Sequence, residues 1–251
     1  MTGREQKLLT GINAAQSALR NDPGNVVRLE VAADRSDRRI DELKALAAAA
    51  AVPVVPVGRR QLDQAGRGHQ GVVTHYQALK PLDESGMVEA LATVDNPLVL
   101  VLDHLSDPRN FGACLRSAAA AGADLVVYPK DRAVDLTPAA RKTAAGGAEQ
   151  VTLARVVNLG RALDQLKSAG LWIAGAAGTA SRSVYDLDLT GPIALVLGSE
   201  ERGLKRLVRE RCDHHVSIPI DPRMESLNVS VAAAVMLFEA RRQRQAAGPG
   251  A

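Results

Sequence analysis

"PLVLVLDHLSDPRNFGACLRSAAAAGADLVVYP", residues 97–129, holds two apolar runs separated by a segment with helical spacing. The run at 97–103 does not alternate polar with apolar residues, so it predicts a strand buried on both faces. Residues 110–121 predict a helix, and 124–129 a second buried strand. Strand, helix and strand in that order form the repeating unit of a parallel, doubly wound sheet.

The same alternation continues outward. Strands are predicted at 171–177, 192–198 and 214–220, and helices at 137–145, 159–169, 204–211 and 229–244. Residues 1–77 form a smaller α/β pattern. It has helices at 12–20, 38–50 and 59–64 and strands at 26–33, 52–57 and 71–76. Pro, Ser and Gly in "ALKPLDESG" mark the start of a connecting stretch, a linker with a short helix over 78–96. The expected fold class is therefore α/β: a small domain at 1–77 and a larger parallel-sheet domain at 97–251.

Composition narrows the function classes. The 251 residues are 46% hydrophobic but only 2% aromatic, so the core is built from Ala, Val, Leu and Ile. No apolar run approaches the roughly 20 residues that span a bilayer, and the start lacks a secretory signal. Two cysteines, Cys114 and Cys212, fit a reducing cytoplasm better than a disulfide framework. Charge is uneven: residues 1–80 carry 12 Lys and Arg against 8 Asp and Glu, the rest 19 against 20. A basic first third is the footprint of a module facing a polyanion, although a solvated charged surface is the commoner meaning of such a bias.

Ligand sites in open parallel sheets form outside the carboxyl ends of the strands. Three such ends carry polar loops: "DHLSDPRNFGACLR", "GSEERG" and "IDPRMESLN". "GSEERGLK" is a poor phosphate loop, because its lysine is one place late, the Ser or Thr is missing and Glu200 and Glu201 repel phosphate. "GAAG" at 175–178 falls short of a dinucleotide fingerprint. Ala177 and Gly178 there can still let a ligand approach the backbone, and an ordinary strand-end turn explains them as well. The His and Cys residues show no metal-ligand spacing, and Ser199 lies outside a nucleophile elbow.

In the first loop Asn110 can cap the following helix, and Gly112 permits close packing. Arg116 is not needed for the apolar face and opposes the helix dipole; a surface arginine is an equal reading. In the third, Ser226, Asn228 and Ser230 crowd a helix start that one capping oxygen would satisfy.

Together "NFGACLRSA", "ALVLGSEERGL" and "SIPIDPRMESLNVSVAAAVMLFEA" resemble, in order and spacing, the three motifs of the SpoU (TrmH-like) RNA 2′-O-ribose methyltransferases. "GINAAQSAL" and "GHQGVV" resemble the substrate-binding domain of the subgroup that methylates a guanosine of 23S rRNA. The likeness runs from about Gly11 to Arg244 and implies an L30e-like first domain. It also implies a knotted methyltransferase domain of the trefoil SPOUT class, S-adenosylmethionine as methyl donor and a homodimer. Its expected partner is 23S rRNA or a large-subunit assembly intermediate.

The resemblance implies a catalytic group of Asn110, Arg116, Glu200, Ser226 and Asn228. It implies donor contacts at Gly198, Ile218 and Leu227, with Ala177 and Gly178 in the strand-end turn. Candidate RNA contacts are Arg38, Arg39, Arg59, Arg60, Arg67 and His69, each of which is also an ordinary solvated side chain. Asn13 and Ala176 depart from the subgroup, which has histidine and threonine there. Two other functions remain open: a related methyltransferase acting on tRNA or another rRNA site, and a non-catalytic rRNA-binding assembly factor.

Overall fold

The computed structural model describes residues 3–66, 68–131, 134–199 and 202–248, which fall into two compact units, Gly3–Lys80 and Pro81–Ala251. Arg67, Glu200 and Glu201 lie outside the described residues.

The first unit runs β1 (Gly3–Thr10), α1 (Ile12–Asn21), β2 (Val26–Ala32), α2 (Arg38–Ala49), β3 (Val54–Val57), α3 (Arg59–Gln64) and β4 (Val72–Lys80). Its sheet has the order β1-β4-β2-β3, antiparallel except for the β2–β3 pair. Ile12, Leu29, Ile40 and Leu43 are fully buried in its core. Each such side chain contributes about 1.5–3 kcal/mol through the water it leaves.

Strand β1 was not expected. "GREQKLLT" has too little apolar character to announce a strand, and it forms by pairing with β4 along its whole length, Gly3 against Lys80 through Thr10 against Val73. That pairing extends β4 to Lys80, so residues 78–80, expected in the linker, are sheet.

The second unit continues with α4 (Glu84–Leu91), β5 (Leu98–Asp103), α5 (Pro108–Ala121), β6 (Leu125–Pro129), α6 (Pro138–Ala144), α7 (Gly147–Gln150) and β7 (Thr152–Val156). It ends with α8 (Leu159–Ser168), β8 (Trp172–Ala176), β9 (Ile193–Gly198), α9 (Arg206–Arg209), β10 (His214–Val216) and α10 (Val229–Ala247). All pairs in its six-stranded sheet, β10-β8-β9-β5-β6-β7, are parallel. Every residue of β5 is buried, as its unbroken apolar run requires.

Strand β7 is a second unexpected element; Arg155 interrupts its apolar run. Leu82 covers its edge: Leu82 N donates to Leu153 O and Arg155 N to Leu82 O, both 2.8 Å. A supposed linker residue therefore finishes the sheet. The helix expected at 204–211 shortens to Arg206–Arg209, and the strand expected at 214–220 ends at Val216. Pro219 has no N–H to extend that strand, and Ser217 turns aside to bridge Ser183.

Candidate active site

The chain lays β6 and β7 outward on one side of β5 and places β9 on the other. Crevices open where the order reverses, at the carboxyl ends of such strands. Here Asp103 closes β5. Its carboxylate is buried, accepts from Lys205 N at 2.8 Å and meets His104 Nδ1. The end of β5 is thereby tied to the loop after β9.

That loop folds back sharply. Gly203 N donates to Ser199 O at 2.8 Å, and Gly203 takes φ +61°. A Cβ on Gly198 would lie 2.1 Å from the Gly203 main chain, so only glycine fits there.

Helix α5 starts differently from expectation. Asp107, not Asn110, is the cap, accepting from Arg109 N at 2.8 Å, with Pro108 at the first helical position. Asn110 therefore sits inside the first turn with its side chain available for another contact. Asn228 Nδ2 donates to Asn110 Oδ1 at 3.1 Å, across 118 residues of sequence. The other end of the same amide caps α10: Asn228 Oδ1 accepts from Ser230 N at 3.0 Å and Ser230 Oγ at 2.6 Å. Ser230 belongs to the cap, whereas Ser226 is exposed and its hydroxyl has no hydrogen-bond partner among the described residues.

Arg116 is not brought to this pair. Six residues beyond Asn110, it lies about 9 Å further along α5 and on another side of the helix. It is exposed, beside the point where α7 crosses, and pairs with no described residue.

The expected donor contacts gather elsewhere on the same sheet edge. Ala177, Gly198 and Ile218 follow or end the neighbouring strands β8, β9 and β10. Ala177 N donates to Val216 O at 2.9 Å. Ser217 N donates to Arg182 O and Val184 N to Ser217 O, packing the loop after β8 against the loop after β10. Among the described residues no main-chain hydrogen bond engages Gly178, Ile218 or Leu227, and a Cβ on Gly178 would meet nothing within 4 Å. Unengaged amides, an open glycine and two half-buried aliphatic side chains suit an adenosine held mainly by backbone. Just before Leu227, Asp221 accepts from the guanidinium of Arg223 at 2.8 Å, which holds its carboxyl down at about 2.

A cavity of about 440 Å³ adjoins Asn110, lined also by Asp103, His104, Asp107, Ser199 and Lys205. Sequence reasoning passed over Asp103, weighed Lys205 only as a misplaced phosphate-loop lysine and weighed His104 only as a metal ligand. The one further signal of Asp103 and His104 was position, at the end of a predicted strand or just beyond. No cluster of His, Cys, Asp and Glu able to hold a metal occurs among the described residues.

On the first unit, Arg38 pairs with Glu42 at 3.0 Å and Arg59 with Asp34 at 3.1 Å. Arg39 Nη2 donates to Asn13 Oδ1 at 2.9 Å. Arg60 is exposed on α3. His69 is engaged at both ring nitrogens, accepting from Gly71 N and contacting Asp63, each at 3.0 Å, so it organises its own turn.

Residues 97–238 match the model of the SpoU rRNA Methylase family, and residues 8–82 match one described as RNA 2′-O ribose methyltransferase substrate binding. The 23S rRNA (guanosine-2′-O-)-methyltransferase RlmB of Pseudomonas putida is 46% identical over 237 residues, 94% of this chain and 96% of that one. The RlmB of Haemophilus influenzae is also 46% identical, over 93% of this chain and 96% of its own. Among solved structures, an RNA 2′-O ribose methyltransferase superposes with TM-score 0.60 at 26% identity, covering 96% of this chain and 89% of that one. The SpoU methyltransferase AviRb from Streptomyces viridochromogenes, in complex with AdoMet, shares the fold: TM-score 0.64, 24% identity, coverage 96% and 91%.

Proposed function

This chain belongs to the SpoU rRNA Methylase family, and from that premise we propose how its residues divide the work. It is an S-adenosylmethionine-dependent RNA 2′-O-ribose methyltransferase, and its substrate is a guanosine of 23S rRNA. The observation that carries the reading of the site is the Asn110–Asn228 hydrogen bond. It joins the first and third motifs at the carboxyl edge of the sheet, where an assembly-only protein has no need of it.

Bound S-adenosylmethionine supplies a methyl carbon made electrophilic by the neighbouring sulfonium. Gly178, Ile218 and Leu227 hold the donor through main-chain groups, and Gly198 lets the second loop close beside it. Asn110 and Asn228, locked to each other, and Ser226 orient the target ribose. Holding reactants in line is worth up to roughly 7–11 kcal/mol of barrier. Arg116 holds the phosphate beside that ribose and stabilises the alkoxide as it develops. Its distance from the Asn110–Asn228 pair fits a site completed by a second subunit, and we take the protein to act as a homodimer. Exposed Val231 and Phe238, seven residues apart on α10, supply apolar surface for that contact. We assign Glu200 to anchoring the second loop.

The basic first unit, an L30e-like domain in this reading, recruits RNA through Arg38, Arg39, Arg59, Arg60 and Arg67. The loops at 177–184 and 217–228 would form the trefoil knot. No helix among the described residues is long and apolar enough to cross a membrane. We place the enzyme in the cytoplasm, on 23S rRNA or a large-subunit assembly intermediate. Tritium transfer from labelled S-adenosylmethionine to total rRNA and tRNA, followed by mapping of the methylated ribose, tests the function. A single 2′-O-methylguanosine in 23S rRNA is expected; label in tRNA alone would defeat the assignment.

A further inference from the structure

A ribose inside an RNA chain has a phosphate on either side, and the reading above gives Arg116 only one of them. The cavity beside Asn110 offers a seat for the other. It encloses about 440 Å³, within the size of an ordinary ligand site, and all its described lining residues belong to the second unit. Two cations from the loop after β9 line it, Arg202 and Lys205. Both are exposed, and neither side chain pairs with a described residue. Cations further along the chain differ: Arg206 holds Glu210 at 2.6 Å and Arg211 holds Asp164 at 3.1 Å.

Two carboxylates also line the cavity, Asp103 and Asp107, and formally they balance the two cations. Their placement does not. Asp103 is buried, with Oδ2 accepting from Lys205 N at 2.8 Å and Oδ1 facing His104. Asp107 caps α5 through Arg109 N, where the positive end of the helix dipole offsets its charge. The carboxylates are therefore committed to the protein, and the cations are not. The loop is also fixed where it matters. Gly203 N donates to Ser199 O, and the Asp103 contact pins the main chain at Lys205, while both basic side chains keep their donors free. A main chain ordered before binding reduces what binding costs in entropy.

We propose that Arg202 and Lys205 hold the second phosphate flanking the target ribose, on the side away from Arg116. This rests on the methyltransferase reading above. Asn110, which orients the ribose in that reading, lines the same cavity, so a phosphate held there is its neighbour. A guanidinium and an ammonium make charge-assisted hydrogen bonds to phosphate oxygens, about twice as strong as neutral ones. Gripping both phosphates fixes the ribose between them. None of the expected donor contacts lines the cavity among the described residues, so the pair acts on RNA and leaves the methyl donor alone.

Methyl transfer to a 23S rRNA transcript by the full chain tests this, with RNA affinity measured separately by filter binding. Replacing Arg202 and Lys205 together with glutamine should raise KM for RNA at least about tenfold, the scale of losing hydrogen bonds to a charged group. The slope of log K against log salt should become shallower by about 0.7, one phosphate of an unpaired strand. Melting temperature and S-adenosylmethionine affinity should not move. Lys205→Gln alone should lose part of the RNA affinity, and Lys205→Arg should keep it. Arg206→Gln removes an adjacent charge that does not line the cavity, and should change neither KM nor slope. A KM within twofold for the double variant, or an equal loss from Arg206→Gln, would overturn the phosphate contact. No transfer by the unaltered chain would instead defeat the methyltransferase reading, and the salt slope, which needs binding alone, still decides the contact.

Discussion

Asn228 shows how much one side chain can be asked to do. Its oxygen caps α10 and its nitrogen reaches Asn110, so a single amide both starts a helix and joins two loops. Replacing Ser226 and Asn228 with alanine removes one cap, an effect of about 1 kcal/mol. Urea denaturation should register that small loss, while methyl transfer should fall at least about 100-fold; comparable losses in both would reduce the pair to structure. The surplus of polar residues at this helix start was visible in the sequence, because a cap needs only one oxygen. Which residue caps α5 was misread. Asp-Pro at 107–108 is the stronger signal, since proline suits the first helical position and aspartate the one before it.

Among the elements, α5 sets the tightest tolerances. A Cβ on Gly112 would stand 2.2 Å from Ala140 O, and one on Gly147 would stand 2.8 Å from Arg116 Cα. Gly112→Ala must push α6 away and should cost about 3 kcal/mol or more, read as a lower urea midpoint. A loss below about 0.5 kcal/mol would mean that the two helices separate freely. At the far end of α10, Arg244 donates to the carbonyls of Leu189, Asn96, Pro97 and Gly191 at 2.7–3.2 Å. Burial pushes its pKa down, although charge is what those carbonyls use. Arg244→Met keeps the bulk but strands the acceptors, so about 3 kcal/mol should be lost at near-constant turnover by folded protein. Helix and strand positions in this domain were readable because buried parallel strands are continuous apolar runs. The two strands that escaped, β1 in the first unit and β7 in the second, owe their state to partners: β4 supplies the register of one, and Leu82 covers the edge of the other.

For the whole molecule, charge was the most legible large-scale property, and the least specific. Residues 1–80 carry an excess of basic residues and the rest of the chain is nearly neutral, as the proposed division between recruiting a polyanion and chemistry on one ribose requires. The proposed knot and second subunit would leave no comparable trace in periodicity, because neither threading nor self-association changes which residues are apolar. The charge division gives an expectation that the catalytic residues do not. Arg59 lies against Asp34 in an exposed pair that offsets little of its charge in water, and Arg60 is exposed. Replacing Arg59, Arg60 and Arg67 together with glutamine should weaken binding to 23S rRNA. If each meets a phosphate of an unpaired strand, the slope of log K against log salt should become shallower by about 2. S-adenosylmethionine affinity, measured by calorimetry on the same variant, should not move. An unchanged slope would remove these arginines from the RNA interface and leave the excess charge of the first unit as solvated surface.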